Sequence, residues 1–131
     1  MVTFELVNVN FKNKKTGDCV TRALANASGK DYKVVAKELF DIWMTTGYEM
    51  TDKHCYDKWL ADNGFVKMKQ PRRPDNTKYL VGEIDELINS DDSVVISCAN
   101  HLTCVIDDTL EDLWDCRYKT IGNYYVKSGR N

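Results

Sequence analysis

Cys19 follows a run of small and polar residues, Lys15 to Asp18, and precedes an apolar stripe at helical spacing. A thiol in the first turn of a helix is a candidate nucleophile, because the unpaired amides and the helix dipole there stabilise a thiolate. A thiolate that attacks a carbonyl needs an imidazole to move the proton, a carboxylate to orient that ring, and donors for the oxyanion. The second half of the chain carries the first two. His101 heads a run rich in β-branched residues, and Asp112 follows it by 11 positions. If Asp107 and Asp108 form a two-residue turn, Ile106 faces Thr109, Val105 faces Leu110, Thr103 faces Asp112 and His101 faces Trp114. His101, Thr103 and Val105 then share a face with Leu110, Asp112 and Trp114, since side chains alternate with period two. Asp112 becomes the diagonal neighbour of His101, and Trp114 lies across from the imidazole, where it shields that contact from water. For the oxyanion, Asn13 stands six residues before Cys19 and offers a side-chain amide, with the Cys19 N–H as the other donor. Asn10 is the weaker choice.

In this order, Asn13, Cys19 in the segment GDC, His101 in NHLTCV, and Asp112 with Trp114 in DLW resemble the papain-like cysteine peptidases. Within that superfamily they are similar to compact bacterial and phage members of the kind that includes the double-glycine bacteriocin-processing peptidases. The pattern there is an oxyanion glutamine before a helix-starting cysteine, then a histidine at a strand start, then Asn or Asp followed shortly by tryptophan. Asn13 departs from it by being one methylene shorter than glutamine, and the chain is far shorter than a full papain domain. The resemblance is carried by residues 13–28 and 98–116 and implies a papain-like fold. It also implies hydrolysis of a peptide, isopeptide or related amide through an acyl-enzyme at Cys19, by a phage or mobile-element protein in a bacterial cytoplasm. Two alternatives stand beside it: acyl transfer to an amine by the same triad, as in transglutaminase-like relatives, and a non-catalytic papain-like interaction protein.

These residues need elements to position them. Val20, Ala23, Leu24 and Ala27 lie on one face of a helix over 18–28, with Gly29 as its stop. A second helix over 31–45 carries Val35, Leu39, Ile42 and Trp43 on a stripe, and a third over 51–62 carries Cys55, Trp59 and Leu60. His54, on the third, reads as a surface or packing residue. Residues 2–9 read as a strand or extended arm, 65–69 as a strand, 70–77 as a turn-rich linker and 81–90 as a short helix. From 93 onward the pattern turns to strands: 93–98, a hairpin within 101–116, and 120–127. Helices first and strands later predict a single α+β domain over 1–131, with a helical part packed on a C-terminal antiparallel sheet.

Composition sets the outer bounds. A chain of 131 residues with 43% hydrophobic content suits one domain with one core. Eighteen basic and twenty acidic side chains, net charge −2, are interspersed, so no single-sign field draws the chain to nucleic acid or to anionic lipid. The basic run around Arg72 and Arg73 reads as a solvated loop. No apolar stretch approaches the roughly 20 residues that span a bilayer, and the first 15 residues do not read as a signal peptide. The five cysteines show no paired spacing, which predicts reduced thiols, a cytoplasmic setting and no disulfide scaffold. Cys98 and Cys104 read as core, and Cys116 as surface or edge. With two histidines and no paired ligand spacing, neither a metal nor a cofactor is expected. The expected partner is a peptide or protein substrate, for which Trp43, Tyr48, Trp59, Tyr124 and Tyr125 are candidate cleft residues. Helical spacing assigns Trp43 and Trp59 more readily to the core.

Overall fold

The computed structural model describes residues 1–129. The chain runs β1 (Thr3–Leu6), α1 (Cys19–Ser28), α2 (Tyr32–Thr46), α3 (Lys53–Asp62), β2 (Val66–Met68), a 3-10 helix (Val81–Glu86), β3 (Ser93–Cys98), β4 (His101–Ile106), β5 (Thr109–Asp112) and β6 (Tyr124–Lys127). It is an α+β fold with one six-stranded sheet in the order β1-β5-β4-β3-β6-β2.

The helices begin and end where local chemistry demands. Asp31 and Asp52 cap α2 and α3, their carboxylates accepting the N–H groups of Lys33 at 3.0 Å and His54 at 2.8 Å. Gly29 at φ 74° and Gly47 at φ 84° take the left-handed conformation that closes α1 and α2. Leu24, Leu39 and Leu60 are fully buried, each removing enough apolar surface from water for about 1.5–3 kcal/mol.

The sheet corrects one expectation. It is mixed rather than antiparallel, because β1 lies parallel to β5, with Leu6 opposite Asp112. The Val7 N–H extends this pairing by donating to the Asp112 carbonyl at 3.0 Å. The remaining strand pairs are antiparallel. Alternation along β3 and β4 sends Val95, Leu102 and Cys104 into a cluster with Leu24, Leu39, Trp59 and Leu60 of the helices. Val94, Ile96 and Val105 go to a second cluster with Val2, Val81, Ile84, Leu110 and Ile121. Both faces of the central strands are therefore covered, which explains their near-continuous apolar sequence.

The β4–β5 hairpin has the register expected from a two-residue turn: Ile106 faces Thr109, Val105 faces Leu110 and Cys104 faces Glu111. Asp107 at φ 50° and Asp108 at φ 57° both occupy the left-handed region that such a turn requires. No helix among the described residues is long and apolar enough to cross a membrane.

Candidate active site

Cys19 opens α1, and the turn between β3 and β4 delivers His101 to the same end of the sheet. Both line a cleft of about 550 Å³, together with Gly17, Lys53, Tyr56, Ser97 and Asn100. His101 Nε2 meets Asp112 Oδ2 at 2.6 Å. The ring therefore gives its Nε2 to the carboxylate. Burial alone would push the Cys19 thiol up. Hydrogen bonding with His101 and with the Leu102 backbone, and the charges of His101 and Arg22, bring it below its ordinary value instead. Burial would likewise favour a neutral imidazole, but hydrogen bonds to Asp112, Cys116 and Cys19 raise His101 well above its ordinary value. The two shifts run in opposite senses, the thiol downward and the imidazole upward, as expected of neighbours that favour each other's charged form.

The start of α1 has no side-chain cap: the cap residue, Asp18, makes no capping hydrogen bond to the first turn. The Asp18 carboxylate instead accepts from Arg22 Nε at 2.7 Å, Tyr32 Oη at 2.8 Å and Asn10 Nδ2 at 2.9 Å. The first-turn amides remain for a negative group at Cys19.

Arg22, unremarked in the sequence, is the buried hub of the site. It is 5% exposed, and its second arm donates from Nη1 to Asp112 Oδ1 at 3.1 Å. The Leu113 N–H donates to that same oxygen at 2.6 Å. Burial disfavours the Asp112 carboxylate, but its hydrogen bond with His101, that ring's charge and the Leu113 N–H hold it below the ordinary range, so it stays ionised. The signal that could have found Arg22 is its spacing, one helical turn after Cys19 and four residues after Asp18.

Two further thiols lie beneath the imidazole. Cys116, expected at the surface or edge, is 1% exposed, because the chain beyond β5 turns back under the sheet. Its Sγ donates to Asp112 Oδ2 at 3.7 Å. Hydrogen bonding with Cys98, joined by burial, holds the Cys116 thiol above its ordinary value, while the same bond lowers Cys98. His101, Asp112 and Cys116 bring ligand atoms within 4.8 Å of one another, a set that could hold a metal ion and that no sequence spacing reveals. Hydrogen bonds already join these atoms.

Asn13 is not brought to the site. Its N–H closes a turn onto the Asn10 carbonyl at 2.8 Å, its φ is 53°, and it is exposed outside the cleft lining. Its oxyanion assignment is therefore withdrawn. Asn10 is also spent elsewhere, its Oδ1 accepting the N–H groups of Lys12 and Lys14 and its Nδ2 holding Asp18. Trp114 packs against the imidazole with ring centroids 4.9 Å apart, although it is itself 42% exposed at the rim. Trp59, Tyr124 and Tyr125 are buried in the core, Trp43 is half-buried, and none lines the cleft. His54 is a surface residue that stacks on Tyr48.

Comparisons with protein-family models, with curated proteins and with solved structures return no match to this chain.

Proposed function

We propose that this chain is a papain-like thiol hydrolase that cleaves a peptide, isopeptide or related amide bond in a reducing cytoplasm. The observation that carries the reading is that Cys19 and His101 line one cleft while the buried Asp112 carboxylate lies 2.6 Å from the His101 ring. The Cys19 thiolate attacks the substrate carbonyl, forming a C–S bond while the carbonyl electron pair moves to oxygen. Collapse of that intermediate expels the amine, which takes its proton from the His101 imidazolium and leaves an acyl-Cys19 thioester. Water then attacks the thioester, gives its proton to His101, and releases the carboxylate product with the thiolate restored. Asp112 holds the tautomer and orientation of the ring throughout. Five free thiols suit a compartment in which disulfides do not persist.

The test is alkylation of the folded protein by iodoacetamide across pH 5 to 9, read by peptide mass spectrometry. An ordinary thiol with a pKa of about 8.5 reacts slowly at the acidic end, whereas a thiolate paired with imidazolium keeps its rate. Cys19 is expected to label fast and selectively at pH 5.5, and His101→Ala to return its profile to that of an ordinary thiol. Cys98, buried on the cleft floor, is the internal comparison. Equal slow labelling of all five cysteines would remove the hydrolase reading.

A further inference from the structure

The withdrawal of Asn13 leaves the proposed acyl transfer with one oxyanion donor, the Cys19 N–H, where a preorganised site uses two. The second donor must face the same cleft, must be held without rearrangement, and must keep its proton. Among the side chains lining the cleft, Thr51, Lys53 and Asn100 are exposed, and the Lys53 ammonium is donated to Asn123 Oδ1 at 3.1 Å. Tyr56 is different. It stands in the second turn of α3 with 9% of its surface exposed, and its N–H is fixed to the Asp52 carbonyl at 3.2 Å. Its ring packs edge-on against Tyr125 at 6.4 Å between centroids.

Resting on the thiol-hydrolase reading, we infer that the Tyr56 hydroxyl is the second oxyanion donor, beside the Cys19 backbone N–H, in the cleft that both residues line. Ser97, on β3, lines the same cleft as Tyr56. Ser97 is itself pinned, its carbonyl accepting the Gly122 N–H at 2.7 Å, where a side chain on Gly122 would come within 3.0 Å. Burial, together with the negative charges of Asp57 and Cys19, keeps the phenol above its ordinary pKa despite the Ser97 bond, so it stays a proton donor across the working range. A phenol fixed by two packed elements is the kind of donor whose alignment need not be established during the reaction.

The test separates acyl transfer from alkylation. p-Nitrophenyl acetate acylates Cys19 through a tetrahedral oxyanion and expels p-nitrophenolate with the bonding pair, whereas iodoacetamide alkylates the same sulfur by displacement of iodide with no oxyanion. Stopped-flow release of p-nitrophenolate and the iodoacetamide rate are measured for the wild type, Cys19→Ala, Tyr56→Phe and Ser97→Ala. Tyr56→Phe is expected to slow acylation by about a hundredfold, the usual effect of losing one oxyanion donor, while the alkylation rate stays within about twofold. Ser97→Ala should give a smaller loss with the same asymmetry. Acylation of Tyr56→Phe at the wild-type rate would overturn the assignment, and an equal fall in both rates would reduce Tyr56 to a packing residue. A wild type whose Cys19 reacts with neither reagent would instead overturn the hydrolase reading on which the inference rests.

Discussion

Replacing Arg22 by glutamine probes the part of the site that carries the most concentrated buried charge. Arg22 Nε holds Asp18 at 2.7 Å and Nη1 holds Asp112 at 3.1 Å, with all three side chains at 10% exposure or less. Removing one partner of a buried ion pair typically costs about 3–5 kcal/mol, a large share of the roughly 5–15 kcal/mol that holds a domain of this size together. At about 3–5 °C per kcal/mol for a chain of this length, Tm should fall by about 10–20 °C at pH 7. The pH dependence has a definite sign. Asp18 and Asp112 titrate below their ordinary range in the fold. Their contribution is therefore present above about pH 3.9 and is lost as pH falls through the folded values. The gap between wild type and Arg22→Gln should be wide at pH 7 and should narrow as pH falls below about 3.9 and through the folded values. The same substitution removes a positive charge one helical turn from the Cys19 thiol. That charge is among the causes that hold the thiol below its ordinary value, so the acid limb of Cys19 alkylation should move up. Circular-dichroism melts from pH 7 down through that range and the alkylation profile are the measurements. A Tm within about 2 °C of wild type, with an unmoved acid limb, would refute the hub assignment.

Other expectations follow from single features. Asn13→Ala should leave the rate of acylation by p-nitrophenyl acetate within about twofold of wild type, because one oxyanion donor is worth far more than that and Asn13 lies outside the cleft. Asp107→Asn with Asp108→Gly should raise stability by about 0.5–1 kcal/mol in urea melts, since both positions hold positive φ in a two-residue turn that favours Asn-Gly. Leu39→Ala, at a fully buried position of α2, should cost about 2–5 kcal/mol by the same measurement while leaving the selectivity of Cys19 labelling intact.

Much of the local structure was legible because its signals are local. Asp31 and Asp52 at the helix starts, Gly29 as a stop, and the 3.6-residue stripe of Val35 and Leu39 place the helices within a residue or two. The Asp107–Asp108 turn sets the hairpin register and with it the His101–Asp112 pair. What escaped reading depends on distant pairing. The parallel partnership of β1 with β5 joins residues more than 100 positions apart, and nothing in Thr3 to Leu6 specifies parallel over antiparallel neighbours. Arg22 reads as a solvent-facing charge until Asp18 and Asp112 close on it from opposite sides. Asn13 has the right spacing from Cys19, but its loop follows the hydrogen bonds of Asn10 and turns it outward. Tyr56 gave no signal because the cleft it lines is closed by Ser97 and Cys98 of β3, which the sequence does not bring near α3.

The pairing of β1 with β5 also orders events in time. β5 is bordered by β1 on one side and β4 on the other, so the strand that ends in Asp112 is assembled from segments made first and segments made more than 100 residues later. Such non-local contacts form late, after the loop-closure entropy of the intervening chain has been overcome. During synthesis Cys19 and its helix emerge well before His101 and Asp112 exist, and the nascent chain carries an ordinary thiol. The surroundings of Cys19 that include His101 and Asp112 exist only once the sheet is complete, so on the proposed reading the onset of chemistry is coupled to the completion of folding.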